Sequence, residues 1–361
     1  MEGQRLNNTG QIQYQTYLKK ETMNPSVAVV ILNWNGRNYL ERFLPSVCKS
    51  SYENLQIIVA DNASTDDSVS FLKQNYPKVQ IIINDKNYGF ADGYNHALTK
   101  VTADYFVLLN SDVEVPENWI KPVIDLMQSD DKIAVAQPKI KWQQNKTMFE
   151  YAGAAGGFID SFGFTFCRGR IFDQTEEDKG QYNKNIPVFW ASGAAFFIKN
   201  SAWTEVGGLD GDLFAHMEEI DLCWRLKNKG YKVVCCTEAE VYHVGGGTLD
   251  ASSPFKSYLN FRNNLIIMQK NLPFGEALLK VFARLWIDLA AWFQFALKGQ
   301  FSFAFSINKA HTHFFRDFFK TAAKRTDKKL ALTAHQGVFK GSIVWKYFIG
   351  KKKKFSDLKT L

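Results

Sequence analysis

The sequence predicts a doubly wound, mostly parallel α/β sheet followed by a basic, aromatic-rich helical region. Three observations predict it. Apolar, β-branched runs recur as "VAVVIL" (27–32), "LQIIVAD" (55–61), "VQIII" (79–83) and "DYFVLLN" (104–110), each with the look of a strand buried on both faces. Helical stretches alternate with them over short connections, which places the strands side by side with helices covering the sheet. Finally, the polar clusters "NWNG", "DNAST", "NDKNYG" and "NSD" each follow a strand directly. Four separated segments therefore deliver Asn and Asp to the carboxyl edge, where such sheets bind ligands.

In chain order, the first strand leads into a helix over "YLERFLPSVCKS". The second strand leads into a helix ending near Tyr76, and the third into "FADGYNHALTKV". Further on, "LFAHMEEIDLCWRLKNKGYKV" (213–233) reads as a helix start. Glu218, Glu219 and Asp221 face the positive end of its dipole, and Arg225, Lys227 and Lys229 lie near the negative end. Leu222 and Leu226 would anchor this helix on a core, Gly230 would stop it, and "YKVVCC" alternates as a strand. A charged surface helix fits this pattern, yet three acids so close repel one another, and a reacting site would explain why they are held together.

Composition narrows the classes. A chain of 361 residues with 46% hydrophobic and 15% aromatic content can bury a large core in more than one domain. Five cysteines without C-x-x-C spacing argue against a disulfide framework or a zinc site. Adjacent Cys235 and Cys236 read as buried thiols on opposite faces of a strand, suited to a reducing cytoplasm. No G-x-G-x-x-G follows the first strand and no Walker loop occurs, so the pyrophosphate turns of dinucleotide and P-loop enzymes are missing. The first 22 residues are polar and lack the apolar stretch of a signal peptide; residues 1–24 read as a flexible extension, with Met23 as an alternative start to Met1.

Net charge is +8 but unevenly spread. Residues 255–361 hold 20 Lys/Arg against 5 Asp/Glu, and the remainder is mildly acidic, which suggests two modules, 25–255 and 256–361, with different partners. In residues 276–298, Lys280, Arg284 and Asp288 form a polar stripe on a broadly apolar helix. The charges argue against a membrane span and for a helix that is interfacial or packed on the body. "HTHFFRDFFKTAAKR" and "WKYFIGKKKKF" interleave aromatics with lysines; a homodimer interface, core helices and a nucleic-acid surface compete as explanations, the last without any recognition motif. His311 and His313 read as helical surface residues.

The ordered series "VVILNWNG", "VADNASTDDS", "NYGFADGYNHAL", "LLNSDV", "WASGAAFFIKN" and "HMEEIDLCWRLKNKGY" resembles glycosyltransferase family 2, nearest to rhamnosyltransferase-like enzymes of bacterial surface-polysaccharide synthesis. The resemblance spans roughly residues 26–250. It implies a GT-A fold, a UDP- or dTDP-linked sugar donor, a divalent metal (Mn²⁺ or Mg²⁺), inversion at the anomeric carbon and a glycan or lipid-linked acceptor. Leu32, Asn33 and Asn35 would lie at the nucleotide, with Asp61 accepting from the N3–H of a uracil or thymine; alone, Asp61 also suits a turn. Asn87, Gly89 and Asn95 would face the donor, the last two also suiting a helix entry.

Asn110, Ser111 and Asp112 occupy the place of the family's D-x-D metal motif, with one acid replaced by Asn110. Asp112 and His243 would hold the metal. Trp190, Gly193 and Ala194 would line the sugar and acceptor. Glu219 falls on the position of the catalytic base, with Glu218 and Asp221 as alternatives. Lipid-linked acceptors and the basic tail together imply a cytoplasmic enzyme, peripheral on an anionic inner membrane face, with no nucleic-acid partner. A glycoside hydrolase, which also needs two carboxylates, and a non-catalytic nucleotide-sugar binder are the alternatives.

Overall fold

The structure, a computed structural model, describes residues 24–245, 253–325 and 329–358; the N-terminal extension and both start methionines lie outside the described residues. The alternation read from the sequence is present. Strands β1 (Val27–Asn33), β2 (Leu55–Asp61), β3 (Gln80–Ile83) and β4 (Tyr105–Asn110) are parallel neighbours in the order β4-β1-β2-β3. They are linked by α1 (Arg37–Cys48), α2 (Ser68–Asn75) and α3 (Gly89–Leu98). Beyond β4 the ten-stranded sheet continues through Ala195–Lys199, Ile133–Trp142, Lys232–His243 and Ile186–Val188, partly antiparallel.

The pleat of β1 divides the core. Val27, Val29 and Ile31 pack into one apolar cluster, while Ala28 and Val30 pack into the other. The second cluster also contains Leu265, Ile267, Phe314, Phe339 and Phe355, so the basic tail completes the core of the body. Tail residues Val338–Phe339 also add a parallel strand to Gly157–Asp160 in a second, five-stranded sheet. Cys235 and Cys236 are buried and free, and each joins a different cluster, as alternation requires.

Three long helices begin the tail: Pro254–Asn271, Phe274–Leu297 and Phe301–Arg316. The middle one is turned inside out. Its polar stripe faces the body, where Arg284 pairs with Asp288 (3.1 Å), and His311 reaches the other Asp288 oxygen (3.1 Å). Phe274, Leu278, Phe282, Trp286, Phe293 and Leu297 point outward, more than half exposed. His311 is therefore half-buried in a polar contact, and His313 accepts or donates at 2.7 Å from the Tyr258 hydroxyl; neither is a plain surface residue. No described helix is long and apolar enough to cross a membrane.

Candidate active site

Strand register builds the polar rim. Asn33 lies beside Asp61, and Leu32 beside Asn110, because β1 pairs in parallel with both β2 and β4. The buried Asp61 carboxylate accepts from Asn33 Nδ2 (3.0 Å) and from the Ser64 amide (2.9 Å). Asn33 Oδ1 is buried with no partner. Asn35, in a left-handed conformation, accepts from the Thr65 amide (2.7 Å) and ties the two loops together. Asn62, which sequence reasoning did not single out, is the hub: it donates to Asn87 Oδ1 (2.9 Å) and Gly89 O (3.0 Å), and accepts from Asn84 (3.1 Å).

Gly89 needs to be glycine on two counts. Its φ is +75°, and a Cβ would sit 2.8 Å from the Phe214 ring. Asn95 departs from its expected place. Its amide bridges the Leu209 backbone, donating to the carbonyl (2.8 Å) and accepting from the N–H (2.9 Å), so it locks a loop instead of facing the donor side.

At the adjoining edge, β5 (Val113–Glu114) turns back and pairs antiparallel with the end of the Lys232–His243 strand, setting His243 opposite Val113. Asp112 Oδ1 and His243 Nε2 consequently meet at 3.1 Å, with Asn110 Nδ2 3.5 Å from the same nitrogen and Ser111 half-buried beside them. Glu150 lies 3.4 Å from His243 Nδ1 and was not foreseen, since a lone Glu in "FEYAGAAGG" has no motif around it. Burial opposes the imidazolium, but Glu150 and Asp112 outweigh it and push the His243 pKa up to about 10. Among the described residues no three His, Cys, Asp or Glu side chains gather as a metal cluster. Asp112 and His243 nevertheless form a carboxylate–imidazole pair whose outer nitrogen lies 3.4 Å from a second carboxylate, a donor set that fits a divalent cation completed by substrate oxygens once the cation displaces the imidazole proton.

The acidic stretch opens helix Glu218–Asn228, and its three acids fare differently. Asp221 is fully buried and bound by Arg225 Nε (2.7 Å), Lys270 Nζ (2.8 Å) and Asn271 Nδ2 (2.8 Å). Burial would raise its pKa, but Lys270 and Arg225 hold it well below the usual carboxylate range. That pairing corrects its candidacy as a base: it fastens the tail to the body. Glu218 is buried, and burial together with the Glu219 charge raises its pKa well above the ordinary value. Glu219 is half-buried and its Oε2 has no partner; burial pushes it up to about 7, against the Glu219 and Gly193 backbone amides, which favour the anion.

The loop leading into this helix is strained. Phe214, His216 and Met217 all have positive φ, a costly state for residues with side chains. The fully buried Asn263, from the first tail helix, holds it by donating to the carbonyls of Leu213, Ala215 and His216 at 2.7–3.0 Å. His216 was also missed by motif reading. Its Nε2 is buried without a partner, and burial, then Lys256, lower its pKa to about 4.

The "WASGAA" segment joins both halves. Ala194 O accepts from the Asn110 amide (3.1 Å), and the Gly193 amide faces Glu219. Trp190, expected to line the sugar, is a core residue: its indole donates to Phe158 O (3.0 Å) and stacks against Gly157.

A GT-A sheet with a polar rim, a carboxylate–imidazole pair and an acid helix defines a glycosyltransferase, and comparison with known proteins agrees. The model of glycosyl transferase family 2 matches residues 28–201. The chain is 25% identical over 237 residues to the N-acetylglucosaminyl-diphospho-decaprenol L-rhamnosyltransferase of Mycobacterium tuberculosis, covering 61% of this chain and 76% of that one. It is 24% identical over 216 residues to the rhamnosyltransferase WbbL of Escherichia coli, covering 57% and 79%. A crystal structure of GalNAc-T7 with UDP, GalNAc and Mn²⁺ shares the fold, with a TM-score of 0.55 and 18% identity over 70% of this chain and 49% of that one. The chain is a glycosyltransferase that resembles family 2 and, within it, the rhamnosyltransferases. That class replaces the glycoside hydrolase alternative.

Proposed function

We propose that this enzyme transfers a sugar, with inversion, from a UDP- or dTDP-linked donor to a lipid-linked glycan acceptor in bacterial surface-polysaccharide synthesis. The observation that carries the reading is the division of labour among the acids: Glu218 and Glu219 each keep a buried oxygen without a partner, but Glu219 alone is only half-buried, with a pKa pushed up to about 7. An acceptor hydroxyl presented to Glu219 loses its proton to that carboxylate as its oxygen bonds to the anomeric carbon. The bond from that carbon to the donor diphosphate breaks on the opposite face, which inverts the centre.

Asn33, Asn35 and Asp61 hold the base and ribose, with Leu32 beneath the nucleotide and Asn87 and Gly89 shaping the entry. Asp112 and His243 would hold Mn²⁺ or Mg²⁺, which when bound neutralises charge developing on the leaving diphosphate. Asn110 in place of an acid leaves that cation more dependent on the diphosphate itself. Glu150 orients His243, and Gly193 and Ala194 hold the Glu219 side and the Asn110 side at a fixed separation.

The outward apolar stripe of helix Phe274–Leu297, together with the lysine-rich tail, supports a peripheral seat on an anionic membrane. The relative that acts on a diphospho-decaprenol acceptor supports the same reading.

The test is diphosphate-nucleoside release from a panel of nucleotide sugars with and without Mn²⁺. Wild type should hydrolyse one donor slowly in the presence of metal, and Asp112→Ala should lose metal-dependent UDP or dTDP binding by calorimetry. Equal Mn²⁺ dependence in both proteins would overturn the metal assignment.

A further inference from the structure

A buried arginine from the second sheet stands beside the candidate site without a carboxylate partner. Strands Thr165–Cys167 and Arg170–Ile171 pair antiparallel with Arg170 opposite Cys167, and Gly169, at φ +105°, makes the tight turn between them. A Cβ at Gly169 would sit 2.7 Å from the Phe149 ring, so the stretch "FEY" (149–151) packs on this turn. Glu150 follows Phe149 and lies 3.4 Å from His243 Nδ1. Tyr151, 51% exposed, lies over the guanidinium of Arg170, with 4.1 Å between the ring centroid and Cζ.

Arg170 is 8% exposed, yet it makes no ion pair among the described residues. Its Nη1 donates to Phe172 O (3.1 Å), Nη2 reaches only the Cys167 sulfur (3.8 Å), and Nε is buried without a partner. A guanidinium offers more donors than these, and a buried cation left without an anion is costly. Its surroundings say which anions come near. Burial pushes the Cys167 thiol up to about 11; Arg170 opposes that rise, while Glu150 and Glu219 add to it. Burial also works against the Arg170 charge, and Cys167, Tyr151 and Glu150 act for it. The arginine and its thiol partner thus lie within electrostatic reach of the carboxylate behind His243 and of the proposed base. A donor sugar and its diphosphate span that interval in the proposed transfer.

We propose that Arg170 is a substrate-contacting residue whose guanidinium binds an anionic oxygen pair of the sugar-nucleotide donor, between the Asp112–His243 pair and Glu219. A sugar nucleotide has two groups that can bring such a pair there: the phosphate next to the sugar, and a carboxylate carried on the sugar ring. The planar guanidinium fork accepts either in parallel, charge-assisted hydrogen bonds. Tyr151 turns aside from the guanidinium as the ligand enters, and its ring is placed to pack on the apolar face of the sugar. Because Asn110 replaces an acid, the metal is weakly held, and a fixed protein cation shares the donor's negative charge with it. The inference rests on the transferase reading of Glu219 and adds to it a donor contact from the second sheet.

The full-length protein is titrated by calorimetry with UMP, UDP, UDP-glucose and UDP-glucuronic acid, in Mn²⁺ and again in EDTA. Arg170→Gln should weaken one class of ligand about tenfold, the usual worth of a charge-assisted contact. A loss shared by UDP and both sugar nucleotides but spared in UMP assigns the guanidinium to the diphosphate. A loss confined to UDP-glucuronic acid assigns it to a sugar carboxylate. In either case Arg170→Lys should recover part of the affinity, and melting curves report that each variant is folded. Unchanged affinity for all four ligands, or the same loss for all four, makes Arg170 structural and overturns the proposal. Should Arg170→Gln not fold, wild type in EDTA decides. A protein cation at this place keeps a preference for UDP over UMP, or for UDP-glucuronic acid over UDP-glucose, when the metal is gone; no preference in either pair sinks the idea. Failure of both UDP and dTDP to bind wild type in Mn²⁺ would instead count against the transferase reading.

Discussion

Three acids within four positions end up in three states, and burial together with partners decides which. Asp221 gains two cations and an amide and is locked as an anion, Glu218 is buried beside a like charge, and Glu219 stays half-buried with a pKa near 7. A side chain ionising near 7 is matched to proton transfer at neutral pH. Glu219→Gln should retain donor affinity while transfer falls by about 10²–10⁴-fold, the contribution of a positioned base. Wild-type transfer should rise with pH through about 7, a limb absent from the residual activity of the variant.

Stability should move the opposite way. Glu219 ionises in the unfolded chain near the ordinary glutamate range but near 7 when folded, so the native state binds more protons between those values and loses stability as pH rises through them. Glu219→Gln should therefore melt above wild type at pH 8, with the gap closing toward pH 4. A normal turnover in Glu219→Gln would return the acids to a purely structural role.

At the scale of single elements, helix Phe274–Leu297 is the clearest case of periodicity read correctly but with the faces open to two assignments. Lys280, Arg284 and Asp288 were visible as a stripe at i, i+4 and i+8; nothing local says whether a stripe points to water or to protein. Here it points inward because the body supplies partners: the Ser161 and Phe162 carbonyls, Asn264 and His311. The apolar stripe is left outside, an arrangement that water disfavours and a bilayer interface rewards. Phe282→Glu together with Trp286→Glu should leave donor hydrolysis intact and abolish sedimentation with phosphatidylglycerol vesicles; undiminished sedimentation would assign this face to another partner.

At the scale of the molecule, the tail is mechanically part of the catalytic body. Lys270 bridges Asp210 (2.6 Å) and Asp221 (2.8 Å), Asn263 props the strained loop before Glu218, and Phe314, Phe339 and Phe355 complete the main core. Lys270→Met removes one cation from two buried carboxylates and should cost about 3–5 kcal/mol, the penalty for a broken buried pair. Denaturant titration would read this as a lowered midpoint; an unchanged midpoint would mean that Arg225 and Asn271 suffice and that the tail is a looser attachment than its packing indicates.

What the sequence determined by itself was local or serial. Apolar runs and their spacing set the alternating strands and helices, and the rim of Asn and Asp followed from where those strands end. The ordered motifs singled out Asp61, Asp112, Glu219 and His243 as candidates. Only the tertiary structure decided what each side chain meets. Asn95, Trp190 and Asp221 became structural because the Leu209 backbone, the Phe158 carbonyl and Lys270, distant in sequence, happen to reach them. Glu150, Asn263 and His216 gained their places through contacts 47 to 93 positions away or through backbone strain that no local pattern encodes. Charge and periodicity belong to the chain, whereas desolvation and partnership belong to the fold, and those two effects separate a carboxylate that ionises near neutrality from a paired, structural one two residues along the same helix.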